Sequence, residues 1–544
     1  MLVNRSLKSE LLSLLVLVFF TITFSHAQQD AWVYITDKQD VASSIANPIS
    51  ILTQKAIDRK AAHGVVIDER DVPVNESYIN QLKGAIGITV MAKSKWFNAV
   101  HVRGTETDIN SLSSLSFVSS IDFADKSLNT SKQSLQKKES KFQETFTAFN
   151  YGNTANQIEM FNGDQLHLLD YTGTGMTVAV LDGGFPNVNT MTSFQRLRDA
   201  GHILDDYDFV NRDDDVYTNT TSDHGTWVLS TMAGYVENEY VGTAPDASYY
   251  LFITEDGINE NPVEESYWVE AAERADSLGV DVINTSLGYG GFYDNANYKY
   301  DANDYDGNTI YITKAANIAF EKGMLLVIAA GNEGNTGVYA PADSPNVLSI
   351  GAVDAAGSYA SFSSVGSAIQ PTQKPDVVAQ GLKSYVIDRN DVIIGTLEGT
   401  SLSTPIIAGG ITCLWQALPN KTNAEIMQLV RESASQYNSP DNFLGYGIPD
   451  LQLALNRTLS VKDIEGYEVL KVYPNPTMGS VYFKFPNNEQ EVFVTIYDVF
   501  GKQVFSDVIT NVNNQIDLSS LSKGVYISKI ESKNISKTIK LVKK

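Results

Sequence analysis

Three short segments of the chain carry an aspartate, a histidine and a serine, the residue types that serine hydrolysis requires. The segments are VAVLDGGF at 178–185, SDHGTW at 222–227 and GTSLSTP at 399–405. This chemistry needs a hydroxyl nucleophile, an imidazole that takes its proton, and a carboxylate that holds the imidazole in the correct tautomer. Asp182, His224 and Ser401 could supply these groups. Unrelated folds carry the three residues in different chain orders, so the order Asp, His, Ser also indicates a fold.

His224 stands out among the six histidines of the chain by its surroundings. The small residues after it, Gly225 and Thr226, predict that the imidazole lies at the start of a helix, where the glycine leaves room for a substrate. His167 and His202 lack such surroundings and are better interpreted as surface or hydrogen-bonded polar residues. His224 is therefore the candidate base.

Ser401 follows a glycine and a threonine and precedes a long apolar segment. We expect a helix to begin near Thr404 and Pro405, because proline is favoured in the first turn, where its missing N–H needs no partner. The positive end of the helix dipole then lies beside the Ser401 hydroxyl, and backbone N–H groups there can stabilise negative charge on a substrate oxygen. This motif alone is weak evidence for a catalytic serine. It becomes strong evidence because the other two motifs precede it in the expected order.

Residues 150–457 alternate buried apolar runs with helical stretches, which predicts an α/β domain with a mostly parallel sheet and helices on both faces. The apolar runs are TVAVLD, SYYLFIT, VDVINTSL, GMLLVIAAG and NVLSIGAV. The helical stretches include 264–278 and 309–322. Ligands bind at the carboxyl ends of the strands in such sheets. Asp182 ends one apolar run and Asn332 follows another, so both are expected at that edge.

Residues 1–140 predict an export signal followed by a small α+β unit. Early positive charge, a short apolar run and a small-x-small end indicate a signal peptide at 1–27. The alternative is an N-terminal membrane anchor, which needs roughly 20 apolar residues. Segments typical of strands and helices fill 28–140, which ends in a polar linker from residue 126 onwards. No later segment is long and apolar enough to predict a transmembrane segment in the mature chain.

The end of the chain predicts a third folded unit. Residues 471–544 contain short strand-like segments separated by turns with asparagine, glycine and proline, the pattern of a small antiparallel β-sandwich. A linker at 458–470 separates this unit from the α/β domain. Lysines crowd the last residues of the chain.

The net charge of −24 limits the partners of the chain. Most of it falls between residues 151 and 330, and such a surface repels phosphate backbones, so nucleic acid is not an expected partner. The acidic stretches 205–215 and 301–306 lack EF-hand spacing and are either solvated loops or a site for structural calcium. Cys413 is the only cysteine, so an internal disulfide is impossible, and its apolar surroundings predict burial.

Five segments together resemble the subtilisin-like serine peptidase family: 178–185, 222–234, 281–291, 326–334 and 395–410. The resemblance spans most of the predicted α/β domain and implies a subtilisin-like fold. It also implies a secreted serine endopeptidase that is made as a zymogen and forms an acyl-enzyme on its serine.

The resemblance assigns a role to each candidate residue. Asp182 matches the family's orienting carboxylate, His224 its general base and acid, and Ser401 its nucleophile. Asn332, in the segment AAGNEG, matches the side-chain donor of the oxyanion hole. Without the family, Asn332 could equally lie in an ordinary turn after a buried strand.

The resemblance also covers substrate binding, with departures. Ser286, Leu287 and Gly288 match the backbone edge that pairs with extended substrate, and such pairing favours peptides over small esters. Gly183 follows the aspartate where many relatives carry Ser or Thr, so one hydroxyl that supports the carboxylate is absent. Tyr339 falls where the family often keeps its specificity pocket open, so the substrate preference of relatives does not carry over.

The flanking units carry resemblances of their own. The unit at 28–140 is similar to the family's propeptides, which assist folding and inhibit the active site. The motifs VYPNPTMGSV, VTIYDVFGKQV and IDLSSLSKGVYI place 471–544 close to the sorting domains of proteins exported by the type IX secretion system of Bacteroidota. An adhesive or carbohydrate-binding β-sandwich is the alternative for this unit.

These resemblances imply a function for the whole chain. They imply protein or peptide substrates, no cofactor for the chemistry, the type IX machinery as a partner through 471–544, and an enzyme that is secreted or attached to the cell surface. Two alternatives remain open: a catalytically inactive subtilisin-like scaffold that serves as a surface binding module, and an esterase that uses the same triad.

Overall fold

The computed structural model describes residues 28–129, 149–218, 222–459, 471–484, 491–498, 502–510, 513–531 and 536–544. The signal peptide expected at 1–27 lies outside the described residues, as do 130–148 of the first linker and 460–470 of the second. The chain divides after Asn456 into two compact units, described separately below.

Residues 28–129 form the predicted small α+β fold. The strands are β1 (Gln28–Ile35), β2 (Thr89–Ser94), β3 (Ala99–Thr105) and β4 (Val118–Phe123). They make one antiparallel sheet in the order β2-β3-β1-β4. The helices are α1 (Val41–Ala46), α2 (Gln54–Ala62), α3 (Glu76–Lys83) and α4 (Glu106–Ser111). Apolar side chains from one face of the sheet, among them Val33 and Val100, pack with Ile79 and Leu82 of α3 in a small core.

The first unit continues as the predicted α/β domain. Its strands are β5 (Thr177–Asp182), β6 (Ile203–Asp208), β7 (Tyr235–Val236), β8 (Tyr240–Val241), β9 (Ser248–Ile253), β10 (Val282–Thr285), β11 (Leu325–Ala329), β12 (Leu348–Val353), β13 (Val377–Gln380), β14 (Leu382–Ile387) and β15 (Ile393–Glu398). Seven of them form a sheet in the order β13-β12-β11-β10-β5-β9-β6, with every neighbouring pair parallel. The pairs β7–β8 and β14–β15 are antiparallel hairpins.

Helices cover both faces of the parallel sheet. They are α5 (Ala155–Glu159), α6 (Asp164–Leu168), α7 (Gln195–Asp199), α8 (His224–Ala233), α9 (Val263–Leu278), α10 (Tyr311–Glu321), α11 (Thr400–Ala417), α12 (Asn423–Ser433) and α13 (Leu451–Leu459). The helices predicted at 264–278 and 309–322 are thus α9 and α10. Val178 of β5 packs with Ile407 of α11 on one face, and Leu181 packs with Trp268 of α9 on the other. Burial on both faces explains why each strand is a continuous apolar run.

The second unit contains two antiparallel sheets. Its strands are β16 (Lys471–Tyr473), β17 (Ser480–Lys484), β18 (Glu491–Asp498), β19 (Gln503–Thr510), β20 (Gln515–Asp517), β21 (Gly524–Glu531) and β22 (Ser536–Lys543). One sheet has the order β16-β17-β20 and the other β19-β18-β21-β22. Val481 and Phe483 of the first sheet share a core with Val494 and Ile496 of the second. The predicted β-sandwich is therefore confirmed.

The described residues also settle two smaller points about this chain. Cys413 is fully buried in α11, as its apolar surroundings predicted. No helix within the described ranges is both long and apolar enough to cross a membrane.

Candidate active site

Asp182 is the last residue of β5, whose six residues are all buried. Its side chain is 0% exposed, and its Oδ1 accepts a hydrogen bond of 2.7 Å from the backbone N–H of Gly183. The strand therefore delivers a carboxylate to the carboxyl edge of the sheet, as the sequence predicted, and burial there requires polar partners.

His224 begins α8 and is the main partner of Asp182. Its Nδ1 lies 2.8 Å from Asp182 Oδ1 and 3.0 Å from Oδ2. A carboxylate only accepts hydrogen bonds, so this contact places a proton on Nδ1 and leaves Nε2 as the acceptor of the neutral ring. The His224 side chain is 25% exposed, so the ring reaches solvent from a largely buried position.

The charge around His224 favours its protonated form. Burial of the ring lowers its pKa, but the negative charges of Asp182 and Glu255 and the hydrogen bond that the ring donates to Asp182 raise it, and the net pKa is above its usual value. Such an imidazole is a stronger base than an isolated one, and Asp182 stabilises the imidazolium that forms when it takes a proton.

Gly225 has a different role from the one the sequence suggested. A Cβ atom at this buried position would lie 2.4 Å from the carbonyl oxygen of Gly184 and 2.9 Å from the ring of Phe185. The glycine is needed because the start of α8 packs closely on the segment after β5, which fixes the distance between His224 and Asp182. It does not leave room for a substrate.

Ser401 lies in the first turn of α11, which begins at Thr400, four residues before the start expected from the sequence. Pro405 consequently lies inside the helix, where it supplies no N–H to the carbonyl of Ser401. The expectation that the serine lies beside the positive end of a helix dipole holds, and the backbone N–H groups of that turn surround it. Helices α8 and α11 pack against each other, so His224 and Ser401 each begin one of two neighbouring helices.

Asn332 follows β11 and is linked to the residue before Ser401. Its Oδ1 accepts hydrogen bonds of 2.8 Å from the Thr400 backbone N–H and 3.0 Å from the Thr400 hydroxyl. The Thr400 hydroxyl oxygen in turn accepts a bond of 3.2 Å from the Gly331 N–H. Because Thr400 holds Oδ1 in this way, the donor group Nδ2 of Asn332 points away from the Thr400 N–H.

The Asn332 donor and the Ser401 hydroxyl flank one point in space. A Cβ atom at Gly399 would lie 2.8 Å from Ser401 Oγ and 3.6 Å from Asn332 Nδ2. Glycine at this position keeps the space between the hydroxyl and the amide open. Ser401 Oγ and Asn332 Nδ2 therefore lie on the same side of Gly399, and a substrate carbonyl in front of them could meet both the hydroxyl and the N–H donor.

The predicted substrate edge follows β10. Ser286 is buried and its Oγ accepts a hydrogen bond of 3.3 Å from Asn284 Nδ2, whereas Leu287 is half-buried and Gly288 exposed. The next residue, Tyr289, donates its backbone N–H to the carbonyl oxygen of Ala340 over 2.9 Å. The segment therefore leaves the buried end of β10 and reaches the surface at Gly288.

The structure thus brings the candidate residues to the carboxyl edges of β5, β10 and β11 and to the first turns of α8 and α11. One contact is missing: no hydrogen bond joins Ser401 to His224 among the contacts of the described residues. Catalytic hydrogen bonds are often long in the absence of substrate, so this geometry is compatible with a nucleophile and its base.

The remaining histidines of the α/β domain have ordinary surroundings. His167 is buried, with Nδ1 2.9 Å from the Tyr151 hydroxyl and Nε2 3.1 Å from the Thr243 carbonyl oxygen. Burial lowers the pKa of His167 to about 4. His167 is therefore a hydrogen-bonded core residue, as expected, and His202 lies half-buried after α7.

Aspartates in the two acidic stretches, 205–215 and 301–306, accept hydrogen bonds from nearby backbone N–H groups. Asp208 accepts bonds of 2.7 and 2.8 Å from the N–H groups of Val210 and Asn211, and Asp306 accepts from those of Asn308 and Thr309. No group of three or more metal-ligating side chains is found in the part of the chain that the structure describes. Structural calcium stays a prediction.

Glu255 is a site residue that the sequence analysis did not identify. It follows β9 by two residues, at the same edge of the sheet as Asp182, and it accepts a hydrogen bond from the Tyr289 hydroxyl. Burial raises the pKa of Glu255, and the negative charges of Glu260 and Asp182 raise it further. The hydrogen bond from Tyr289 lowers it, and the resulting pKa is about 7. Its position just after the end of a strand was the sequence signal that could have identified it as a site residue.

The chain matches known families over three separate segments. Residues 173–447 match the Subtilase family. Residues 30–141 match a Peptidase S8 propeptide domain of Bacteroidota, and residues 471–544 match a secretion system C-terminal sorting domain.

Several relatives of the chain are named as subtilisins or as a protease. Subtilisin NAT of Bacillus subtilis subsp. natto is 31% identical over 302 residues, which are 55% of this chain and 70% of that protein. Subtilisin of Bacillus pumilus is 30% identical over 302 residues, 55% of this chain and 97% of that protein. A thermostable alkaline protease of Halalkalibacterium halodurans is 30% identical over 288 residues, 52% of this chain and 68% of that protein.

Proposed function

Because the chain belongs to the subtilase family of serine-type endopeptidases, we propose that it cleaves peptide bonds with Ser401, His224 and Asp182 as its catalytic triad. The observation that carries the proposal is the buried Asp182 carboxylate, which lies within 3.0 Å of His224 Nδ1 through both of its oxygens. That pairing fixes the ring tautomer in which Nε2 can take a proton from a hydroxyl.

The reaction follows from the placement of these groups. Ser401 Oγ attacks the carbonyl carbon of the scissile bond while His224 Nε2 takes the hydroxyl proton. The carbonyl oxygen becomes an oxyanion, which accepts hydrogen bonds from Asn332 Nδ2 and from backbone N–H groups of the first turn of α11. His224 then gives its proton to the leaving amine, and an acyl-enzyme remains on Ser401.

A water molecule completes the cycle. His224 removes a proton from the water, and the resulting hydroxide attacks the acyl carbonyl. When the second oxyanion collapses, the bond to Ser401 Oγ breaks, His224 returns its proton to that oxygen, and the product acid leaves. The residues supply nucleophile, base and oxyanion donor, so the proposal needs no cofactor. The segment Ser286–Leu287–Gly288 would hold the substrate as an added strand, which suits peptides better than small esters.

The N-terminal unit is a propeptide, and its contacts explain how it stays bound to the peptidase. Lys60 of this unit lies 2.7 Å from Asp276 of α9, and Lys322 after α10 lies 2.7 Å from Asp71 of the propeptide. All four side chains are buried. Buried charges need such partners, so the two parts recognise each other specifically.

Further hydrogen bonds join the propeptide to α9. Glu273 accepts 2.9 Å bonds from the N–H groups of Lys95 and Trp96, and the Trp32 indole N–H donates to Ser266 Oγ over 2.9 Å. These contacts support a zymogen in which the propeptide remains docked until it is cut at the linker after residue 126. We propose that Ser401 of the same enzyme makes that cut.

The sorting domain indicates secretion and attachment to the cell surface. We propose that residues 1–27 direct the chain across the inner membrane and that residues 471–544 then address it to the type IX machinery. Deletion of either segment would test its part separately.

The proposed triad can be tested by hydrolysis of a denatured protein substrate. Ser401→Ala and His224→Ala should each abolish cleavage, and both should accumulate as uncut precursor. Ser439→Ala serves as the matched control, because Ser439 is an exposed serine of the same domain. Normal cleavage by Ser401→Ala would refute the assignment of the nucleophile.

A further inference from the structure

The segments that follow β10 and β11 border a crevice that holds the side chain of Tyr339. The two strands are parallel neighbours, with Thr285 paired to Ile328 at their ends. Beyond these residues one segment runs through Gly288 to Gly291 and the other through Gly331 to Asn332. The crevice between them therefore has Asn332 at one end, and Asn332 Nδ2 and Ser401 Oγ both lie within 3.6 Å of the position that a Cβ atom at Gly399 would take.

This crevice is where the residue on the acyl side of the scissile bond must place its side chain. A substrate strand along Ser286–Leu287–Gly288, with its attacked carbonyl beside Ser401 Oγ, has its backbone on one wall. Successive side chains of an extended strand alternate between its two faces, so every second side chain of such a substrate faces the space between the two walls. Because this space has Asn332 at one end, the side chain assigned to it is the one next to the attacked carbonyl.

The side chain of Tyr339 occupies this space. A Cβ atom at Gly288 would lie 3.1 Å from Tyr339 Cβ, and one at Gly291 would lie 2.4 Å from Cε1 and 2.7 Å from Cζ of the ring. On the opposite wall, a Cβ atom at Gly331 would lie 3.4 Å from Tyr339 Cδ2. The ring thus lies against three glycines that belong to both walls.

Several contacts hold the Tyr339 ring in place. The carbonyl oxygen of Tyr339 accepts a bond of 2.8 Å from Ala342 N–H, and the next residue, Ala340, accepts the Tyr289 N–H. The rings of Phe292 and Tyr305 pack against Tyr339 with centroid distances of 5.1 and 5.8 Å. A ring packed between neighbours cannot be displaced without loss of these contacts.

We propose that Tyr339 determines the specificity of the enzyme by filling the crevice, so that only small side chains such as alanine, serine or glycine fit next to the cleaved bond. The inference rests on the proposed function, since it assumes that Ser401 is the nucleophile. A large side chain would have to displace the ring, and overpacking of this kind is unfavourable. Differences of pocket size change catalytic efficiency by about 10- to 200-fold.

Two chromogenic peptide anilides test the proposal. They are identical except for alanine or phenylalanine at the acylated position. The mature wild-type enzyme should have a kcat/KM at least about tenfold higher for the alanine peptide. Tyr339→Ala should raise kcat/KM for the phenylalanine peptide at least about tenfold and change that for the alanine peptide much less.

Three further variants separate pocket filling from other effects. Tyr339→Phe keeps the ring and should keep the wild-type preference. Tyr339→Leu removes the width of the ring with less loss of packing, so it should shift the preference in the same direction as alanine even if Tyr339→Ala folds poorly. Tyr359→Ala, which removes a tyrosine elsewhere in the domain, should leave the preference unchanged.

The result that overturns the inference differs from the one that overturns the proposed function. Equal cleavage of both peptides by the wild type, or an unchanged ratio in Tyr339→Ala and Tyr339→Leu with normal labelling by a fluorophosphonate, would reject the role of Tyr339 alone. Absence of both cleavage and Ser401-dependent labelling in every protein would reject the proposed function, and the inference with it.

Discussion

Asn332 Oδ1 lies 2.8 Å from the backbone nitrogen of Thr400 and 3.0 Å from its hydroxyl oxygen, so the residue before Ser401 fixes the orientation of the Asn332 amide. An amide whose oxygen is held in this way presents its N–H groups in a set direction. Preorganised donors of this kind stabilise developing charge without having to reorient during the reaction.

Asn332→Ala should therefore lower kcat by about 10²–10³-fold, the loss recorded when such a donor is removed from subtilisin. KM should change little, because the donor acts on charge that develops only after substrate has bound. Steady-state kinetics on a peptide anilide would measure both constants.

Asn335→Ala is the matched control, since Asn335 is an exposed asparagine in the same loop. Its kinetics should equal those of the wild type. A normal kcat for Asn332→Ala would remove this residue from the oxyanion hole.

The pH profile should depend on Glu255. Catalysis requires neutral His224, so kcat/KM should rise as the pH increases through the pKa of His224, which lies above the usual value of a histidine. Glu255 has a pKa of about 7, so its negative charge stabilises the imidazolium where the pH lies above that value, and Glu255→Gln should lower the pKa of His224 and shift the acid limb to lower pH.

The control for this shift is Asp256→Asn. Asp256 is the next acidic residue of the loop, and its side chain accepts from the Ile258 and Asn259 N–H groups of the loop itself. The acid limb of the kcat/KM profile of Asp256→Asn should lie at the same pH as in the wild type. A limb that moves equally in both variants would point to the general charge of the loop, and one that moves in neither would contradict the role given to Glu255.

Buried ion pairs should dominate the attachment of the propeptide. Asp276→Asn, introduced into the uncut Ser401→Ala precursor, removes the carboxylate that buried Lys60 and Arg59 share, and leaves Lys60 with Asp71 alone, at 3.2 Å. Loss of one partner of a buried pair costs about 3–5 kcal/mol. Calorimetry of the precursor should therefore show a clearly lower Tm.

Glu321→Gln provides the matched comparison, because Glu321 also joins the peptidase to the propeptide, through Arg70, but is 55% exposed. Exposed pairs contribute about 0–1 kcal/mol, so this variant should melt close to the parent. Equal Tm values for both variants would contradict the view that the buried network holds the propeptide.

Much of this site could be predicted from the sequence, and the reasons are local. Asp182 ends a continuous apolar run, and His224 lies among small residues that open a helix, so the placement of each follows from its neighbours in the chain. The start of α11 was placed four residues too late, because proline is common in a first turn but here lies one turn further in.

Other features could not be predicted because they join distant parts of the chain. Asn332 and Thr400 are 68 residues apart, and only the packing of α11 against the sheet brings them together. Gly225 was assigned to substrate, whereas its real constraint is the backbone of Gly184 behind it. No pattern along the chain predicts such contacts between residues that are distant in sequence.

Removal of 471–544 should leave the peptidase active but prevent its delivery to the medium or cell surface. The proposed triad and its parallel sheet lie wholly before these residues, which form a unit with a core of their own. Activity assays on fractionated cells that carry the full or truncated gene would measure both properties. Export of the active truncated enzyme at the normal level would favour the alternative of a binding module.

The identity of the nucleophile is the central claim, and mapping of a covalent label tests it most directly. A fluorophosphonate should react with the mature enzyme, and mass spectrometry should locate the adduct on Ser401, with none formed in Ser401→Ala or after the triad is disrupted by His224→Ala. An adduct on another serine, or labelling that persists in Ser401→Ala, would contradict the account.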